Sequence, residues 1–383
     1  MSALKAFRVL ELAESVAGEY CGKLLADFGA KVIKVERPGV GSPTRELGPR
    51  ANSGEPCERS GLFAYLNTNK SSVALDLSTE AGAEMLRKLV DRADVVIDDH
   101  AAGWLASMDL DPATIEQSHP QIVLCSITAY GQAPLEDRVH AEDLNLVHAS
   151  GWGYHTPSAA DDKLPPLKGA GRFLASYEAG LDAALCVVAA LFDREQSKLG
   201  RFIDISKHAT LASRVDYVLA QMVAGDMDAS TKRTAFDLWG PAGIFACRDG
   251  YVYIWMSAPG HWEALRKLLG DPEWMRTFPD RWLEKECTSE RVATVRRHLT
   301  EWLKSQRKQP VAAMGQTLGL TIAEVNDARD VLASPQYAFR GFFAEIEHPA
   351  LGRLRYPTVP YKLSATPAKL ERVAPKLGEH AHG

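Results

Sequence analysis

The feature that most restricts the fold of this 383-residue chain is a regular alternation of strand-like and helical segments in its N-terminal half. Six short apolar or alternating segments are typical of strands, at 8–12, 31–36, 72–77, 94–98, 121–126 and 200–205. Helical patterns lie between them, at 19–28, 78–92 (with Ser78 as the expected N-cap) and 181–192. This alternation predicts an α/β fold, with a mostly parallel, Rossmann-like sheet covered by helices on both faces.

The loop after the first strand argues against a dinucleotide. A Rossmann cofactor site carries Gly-x-Gly-x-x-Gly at this point, because the pyrophosphate must approach the backbone closely. Here the sequence is AESVAGEYCG, which lacks that spacing. Nicotinamide or flavin chemistry is therefore not predicted.

The second half of the chain has a different pattern. Residues 244–255 (IFACRDGYVYIW) predict a hairpin with Asp249-Gly250 as its type I′ turn. Helical patterns follow near 261–269 and 290–305, and strand-like segments with prolines return from 322 onward. These signals predict a smaller α+β domain after the parallel sheet.

Composition excludes several classes of protein. The chain has 46% hydrophobic and 24% charged residues, a formal net charge of −5 and no long Lys/Arg run, so no nucleic-acid partner is predicted. No signal-peptide pattern opens the sequence, and the longest apolar run, 181–192, contains Asp182 and is too short to span a bilayer. The six cysteines form no CxxC pair, and no HExxH or similar spacing predicts a metal site. We expect a cytoplasmic protein with reduced thiols and no membrane contact.

Several blocks, taken in order, resemble the class III coenzyme A transferases, the group of carnitine and formyl-CoA transferases and α-methylacyl-CoA racemases. They are 8–45 (RVLELAESVAGEYCGKLLADFGAKVIKVERPGVGSPTR), 67–77 (NTNKSSVALDL), 126–134 (SITAYGQAP), 171–206 and 331–367. The resemblance implies a large domain built from both chain ends, predicted here as 1–215 and 325–383, and a small domain at 225–320. It also implies two ring-shaped chains interlocked as a dimer. Coenzyme A thioesters would be substrates, and no permanently bound cofactor is expected.

Members of this family carry a nucleophilic aspartate four residues before the glycine that matches Gly180. Here that position is Ser176, so the resemblance implies that this chain lacks the usual nucleophile. Glu178, two residues after Ser176, is one alternative catalytic acid. Asp143 is another, and it lies where some racemases of the family carry an aspartate directly after a histidine. Because two helical residues differ by about 200° in direction, we expect Glu178 to point away from the Ser176 position.

The resemblance also suggests contacts to coenzyme A, at Arg37, Lys70, Tyr130 and Gly131. The family commonly reads Glu-Asn-Phe-Arg-Pro-Gly after its fourth strand, whereas this chain has Asp98-Asp99-His100-Ala101-Ala102-Gly103. Two acids would then face a phosphate-rich ligand, which predicts weaker binding of coenzyme A.

Three hypotheses for function follow. The first is the non-nucleophilic subunit of a heteromeric succinyl-CoA:carboxylic acid CoA-transferase, with a dicarboxylic or aromatic succinate acceptor and a homologous partner that carries the aspartate. The second is a self-sufficient acyl-CoA lyase, hydratase or isomerase that uses Glu142, Asp143 or Glu178. The third is a non-catalytic protein that binds CoA thioesters.

Overall fold

A computed structural model describes residues 2–52, 54–135, 141–154, 171–225, 227 and 240–380. The chain divides into two compact units, one of residues 1–233 and 340–383 and the other of 234–339. The larger unit thus contains both ends of the chain. The return to this unit comes at 340, later than the 325 predicted, because the two short helices after 327 cluster with the smaller unit.

The larger unit is built on a six-stranded sheet in the order β3-β2-β1-β4-β5-β6, and every pairing in it is parallel. This is the strand order of a doubly wound Rossmann-like sheet, as predicted. Parallel order follows from the helical connections, which return the chain to the same edge of the sheet before each new strand. The strands are β1 Arg8–Glu11, β2 Lys31–Glu36, β3 Ser71–Ala74, β4 Val95–Asp98, β5 Val123–Thr128 and β6 Phe202–Ser206.

Helices cover both faces of this sheet, and a two-stranded antiparallel hairpin, β10 Phe343–His348 with β11 Gly352–Pro357, completes the unit. The helices are α1 Val16–Asp27, α2 Gly61–Leu66, α3 Glu80–Val90, α4 Trp104–Ser107, α5 Pro112–Ser118, α6 Asp143–Ala149, α7 Leu174–Ser197, α8 Lys207–Ala212 and α9 Asp216–Ala224. One apolar core joins α1 and α7 to the sheet, and a second lies beneath α3 on the opposite face.

The N-cap of α3 differs from the prediction. Thr79, not Ser78, accepts a hydrogen bond from the Gly82 N–H, while the Ser78 hydroxyl donates to Asp76. Ser and Thr are both good N-cap residues, so the sequence alone did not distinguish two neighbouring candidates.

The smaller unit contains a three-stranded antiparallel sheet, β7 Gly243–Cys247, β8 Gly250–Trp255 and β9 Thr321–Val325. Its helices are α10 Pro259–Leu269, α11 Trp282–Lys285, α12 Ser289–Leu303, α13 Lys308–Thr317, α14 Ala328–Ala333 and α15 Pro335–Arg340. The β7–β8 turn consists of Arg248 and Asp249, neither of which has a positive φ, and Gly250 begins β8 with φ +146°. The predicted type I′ turn at Asp249-Gly250 is therefore wrong by one residue in position and in type.

Helix α7 is the longest helix among the described residues, and only one of its faces is buried. By length and apolar composition alone, α7 could cross a membrane. Half of its most apolar stretch is buried inside the protein, however, and the core helix of a water-soluble protein can have the same length and composition. Its outer face exposes an apolar stripe at helical spacing, Leu181, Leu185, Val188 and Phe192. Leu185 is 66% exposed and Phe192 is 74% exposed.

Candidate functional site

Ser176 lies in the first turn of α7, and its side chain is almost completely buried. Its hydroxyl donates a 2.7 Å hydrogen bond to Asp143 Oδ2, and its backbone N–H donates at 2.6 Å to Asp143 Oδ1. Lys207 Nζ donates to the Ser176 hydroxyl oxygen at 3.2 Å. Serine is 2% exposed here, and both hydrogen-bonding roles of its hydroxyl are filled.

Three elements bring this cluster together. Asp143 is the first residue of α6, Ser176 is the third of α7, and Lys207 is the first of α8, directly after β6. The N-cap residue of α7, Phe173, has no side chain that could accept from the first-turn N–H groups, so Asp143 supplies the acceptor from another helix. Asp143 thus accepts two hydrogen bonds from Ser176, one from its hydroxyl and one from its backbone N–H.

Glu178 is held away from this cluster. Its carboxylate forms a 2.6 Å ion pair with Arg214, and Arg214 also binds Asp182 at 2.6 Å. The two acids lie four residues apart on one face of α7, and one guanidinium bridges them. As expected from helical geometry, Glu178 does not occupy the Ser176 position.

The loop after β4 differs from the sequence-based interpretation. Asp98 is fully buried and accepts hydrogen bonds from Ser126 and the His100 ring. Asp99 accepts hydrogen bonds from the backbone N–H groups of Ser15 and Gly18 at the start of α1. The expectation that both acids face a ligand is therefore wrong, because both are bound to groups of the protein itself.

Asp99 takes the place where a Rossmann protein binds pyrophosphate, at the N-terminus of the first helix. Burial by itself would raise its pKa, but hydrogen bonds from Ser15 and the charge of Lys207 outweigh burial and lower the pKa. Asp99 thus remains a carboxylate that fills an anion site. A phosphate-bearing ligand would have to bind elsewhere along this edge of the sheet.

A cavity of about 560 Å³ lies beside that loop, and Arg37, His100 and Trp104 are among the residues that line it. The His100 ring stacks on Trp104 with ring centres 3.8 Å apart and planes 8° from parallel. Burial opposes the charged imidazole, but hydrogen bonds to Asp98 and Glu14 raise the pKa of His100 to about 9. His100 is therefore a cation at neutral pH, next to the 55% exposed guanidinium of Arg37, which pairs with Glu14 at 3.0 Å.

Lys70 does not line this cavity. Its side chain is fully buried, and its ammonium lies 2.7 Å from Glu11 Oε2 and donates to the Glu19 carbonyl and the Asn67 amide oxygen. All of these contacts are internal, so the predicted contact of Lys70 with coenzyme A has no surface through which to form. We do not retain it as a binding residue.

Tyr130 and Gly131 lie in the loop after β5. The Tyr130 ring is 5.5 Å from the His208 ring, and the Gly131 N–H donates to Thr128 Oγ1 at 2.8 Å. Gly131 has φ +97°, a conformation that favours glycine. The loop thus follows the carboxyl end of β5, and contacts of these two residues with coenzyme A stay a prediction.

Two groups in this region were missed from the sequence. Lys207 follows directly on β6. A cation at the carboxyl end of a parallel strand is a sequence pattern that indicates a ligand site, so Lys207 could have been found from the sequence. The His100–Trp104 pair lies at i and i+4, but its stacking depends on how the loop leaves β4. Metal clusters of three or more His, Cys, Asp or Glu side chains are not found among the residues that the structure describes.

Comparisons with known proteins identify the family of this chain. The chain is 27% identical over 382 residues to human succinyl-CoA:glutarate CoA-transferase, covering 98% of this chain and 84% of that protein. It is 28% identical over 385 residues to the succinyl-CoA:(R)-benzylsuccinate CoA-transferase subunit BbsE of Thauera aromatica, covering 98% and 91%. A CAIB/BAIF family protein from Brucella suis has a similar structure, with a TM-score of 0.84, 29% identity and coverage of 99% and 97%. The sequence pattern described as CoA-transferase family III matches residues 4–381, and the chain therefore belongs to that family.

Proposed function

We infer that this chain is the non-nucleophilic subunit of a heteromeric succinyl-CoA:carboxylic acid CoA-transferase. Its acceptor would be a dicarboxylic acid or an aromatic succinate. The observation that carries the proposal is the buried, doubly hydrogen-bonded Ser176 at the position of the family's nucleophile. Relatives with succinyl-CoA transferase activity, one of them named as a subunit, support the same assignment.

The chemistry explains why a serine cannot substitute. Transfer between thioester and carboxylate proceeds through an acyl-carboxylate anhydride, and only a carboxylate nucleophile forms that intermediate. An acylated serine would be an ester, which neither a thiolate nor a carboxylate cleaves readily. The Ser176 hydroxyl also donates its proton to Asp143, and its oxygen accepts a hydrogen bond from the Lys207 ammonium.

Coenzyme A would bind at the cavity beside His100. Arg37 and the imidazolium of His100 supply positive charge for its phosphates, and the face of Trp104 supplies an apolar surface. Asp98 and Asp99 do not line this cavity. Of the three carboxylates that do, Glu14 pairs with Arg37 and His100, Glu36 pairs with Arg45, and Asp76 accepts a hydrogen bond from Ser78. Replacing Arg37 by Gln should therefore weaken the binding of coenzyme A by about tenfold, about 1.4 kcal/mol.

The partner would be a homologous chain that carries the aspartate. The apolar stripe of α7 supports such an assembly, since contiguous apolar surface of this kind is typical of a protein interface. An interlocked arrangement of the two chains stays part of this proposal. A cytoplasmic location is consistent with six cysteines that are all free.

A second candidate is favoured by one contact. Asp143 places a carboxylate 2.7 Å from the Ser176 hydroxyl, so a carboxylate is present beside the family's nucleophile position although it comes from another helix. A self-sufficient acyl-CoA enzyme would use Asp143 in place of the missing aspartate.

One pair of variants distinguishes these candidates. In the assembled enzyme, Ser176→Ala should keep turnover within a few-fold of wild type, and Asp143→Asn should lower it only modestly. The partner, purified with this chain, should form the acyl-enzyme that hydroxylamine traps. If Asp143→Asn is folded but loses several powers of ten in rate, or if the trapped adduct lies on this chain, the subunit proposal fails and the second candidate is supported.

A further inference from the structure

The cations at the amino edge of the six-stranded sheet, where its strands begin, have no role in the site described above. Arg8 begins β1 and Lys31 begins β2, and the two residues are direct partners in the parallel register. Arg92 follows α3 and shortly precedes β4, the other neighbour of β1. Adjacent strands are about 4.8 Å apart, so these positive side chains start from closely spaced positions.

None of these three side chains forms an ion pair with any residue that the structure describes. Like charges directly opposite each other on neighbouring strands are destabilising. The Asp94 carboxylate lies nearby, since it accepts a hydrogen bond from the Arg8 backbone N–H at 2.8 Å, but its ion pair is with Arg194. Unneutralised cations at one position indicate an anionic ligand rather than a contribution to stability.

The same three side chains line a cavity of about 700 Å³. Five cationic side chains and two carboxylates line it, the other cations being Lys369 and Arg372. One of the carboxylates, Asp27, is already paired with Lys23 at 2.8 Å, and the other, Glu371, lies 3.8 Å from Lys369. The cavity therefore carries an excess of positive charge.

Apolar side chains, among them Val9, Val32 and Leu89, form another part of the wall, and Ser2, Asn69 and Ser71 add polar groups. A volume of this size lies within the range of small-molecule sites, about 300–1,000 Å³. An apolar wall next to clustered cations suits a molecule with a ring system and two or more phosphates. None of the residues lining this cavity lines the cavity beside His100.

We propose that the amino edge of the sheet holds a second ligand site, which binds a molecule of the size and charge of a nucleoside diphosphate. The diphosphate contacts Arg8, Lys31 and Arg92, and the nucleoside lies against the apolar wall. This site is separate from the transferase site and does not depend on which of the two candidate functions holds. Arginine and lysine side chains bind phosphate through charge-assisted hydrogen bonds.

Titration calorimetry of the full chain with inorganic pyrophosphate, ADP and coenzyme A tests the proposal. Pyrophosphate should bind with one site per chain, and its affinity should fall as salt is added. ADP should bind more tightly than pyrophosphate, because its nucleoside buries apolar surface. Because coenzyme A itself contains an adenosine diphosphate group, its displacement of pyrophosphate does not separate the two cavities, whereas variants in each cavity do so.

Variants locate the binding. The double variant Arg8→Gln/Lys31→Gln should weaken pyrophosphate binding at least tenfold, and Arg92→Gln should weaken it several-fold. Arg87→Gln is the matched control, since this exposed arginine lies on α3 but does not line the cavity. Arg37→Gln should weaken coenzyme A binding and leave pyrophosphate unaffected. Thermal unfolding checks that each variant is folded. If the double variant does not fold, the effect of Arg92→Gln on pyrophosphate binding tests the proposal instead.

Three results would overturn the proposal. The first is no pyrophosphate binding at millimolar concentration. The second is equal weakening by Arg87→Gln and by the cavity variants. The third is loss of pyrophosphate binding in Arg37→Gln, which would place the anion at the transferase site. Equal affinities for ADP and pyrophosphate would contradict the nucleoside part of the assignment.

Discussion

Among the described residues, charged side chains are paired at the edge of the six-stranded sheet where its strands end, and unpaired at the edge where two of its strands begin. At the carboxyl edge β1, β2 and β4 end in Glu11, Glu36 and Asp98, which are buried and each bound to a basic side chain. At the amino edge β1 and β2 begin with Arg8 and Lys31, which are exposed and have no ion pair among the described residues.

This difference separates charge that holds the fold from charge that is available to a ligand. A buried carboxylate must be paired, because an uncompensated charge in the interior costs several kcal/mol. An exposed cation is hydrated by water and can exchange that water for a phosphate. The buried pairs of the carboxyl edge therefore position the proposed transferase site, whereas the cations of the amino edge can bind a ligand directly.

The largest expected effect comes from breaking one buried pair. Arg45 contacts both oxygens of Glu36, at 2.7 and 2.9 Å, and both side chains are fully buried. Arg45→Met leaves the Glu36 carboxylate without its partner, so the free energy of unfolding should fall by about 3–5 kcal/mol. Urea unfolding measures this difference.

Arg50→Met is the matched control, because Arg50 pairs with Glu46 where both side chains are exposed. Its unfolding midpoint should stay close to that of wild type. A similar loss of stability in both variants would show that burial does not distinguish the pairs.

An intermediate effect is expected from His100, whose pKa in the folded protein is raised to about 9 through its contacts with Asp98 and Glu14. A raised folded pKa means that the stabilisation is complete below the ordinary histidine pKa of about 6.5 and is lost as pH rises through 9. Between pH 6.5 and 9.5 wild type should lose about 2–3 kcal/mol more unfolding free energy than His100→Gln.

The same titration should affect ligand binding. Since the imidazolium faces the proposed coenzyme A cavity, affinity for coenzyme A should fall over the same pH range in wild type and stay flatter in His100→Gln. Identical slopes in His100→Gln and wild type would mean that folding does not raise the pKa of His100.

The smallest effect is expected at the amino edge. Arg8→Gln removes one of two like charges at directly paired positions, so the free energy of unfolding should rise by about 0.2–1 kcal/mol at low salt. Added salt should reduce the gain by screening the repulsion in wild type. A loss of stability in Arg8→Gln would indicate that Arg8 has a stabilising partner, and would remove the contrast between the two edges.

Much of the fold could be predicted because local patterns decide it. The segment KVIKVE at 31–36 alternates in polarity and forms β2 with the same bounds, and the parallel order follows from the helices between strands. The serine at position 176 was equally visible, because it depends only on position relative to Gly180 in α7. The turn at Asp249 was predicted one residue too late, because the residue preferences of a two-residue turn at 248–249 and of one at 249–250 differ little in this sequence.

The sequence could not predict which charged side chains are buried or which distant segments contact each other. Lys70, chosen as a phosphate ligand, is fully buried against Glu11, and Asp99, expected to face a ligand, caps α1. Both outcomes depend on where segments far apart in sequence meet: 59 residues separate Lys70 from Glu11, and 81 separate Asp99 from Gly18. The sequence by itself determined the parallel sheet and the family, and it predicted a serine at the position that the resemblance assigns to the nucleophile. Only the tertiary structure decided which charges are paired and which are free, because a charge's partner is set by packing and not by its neighbours along the chain.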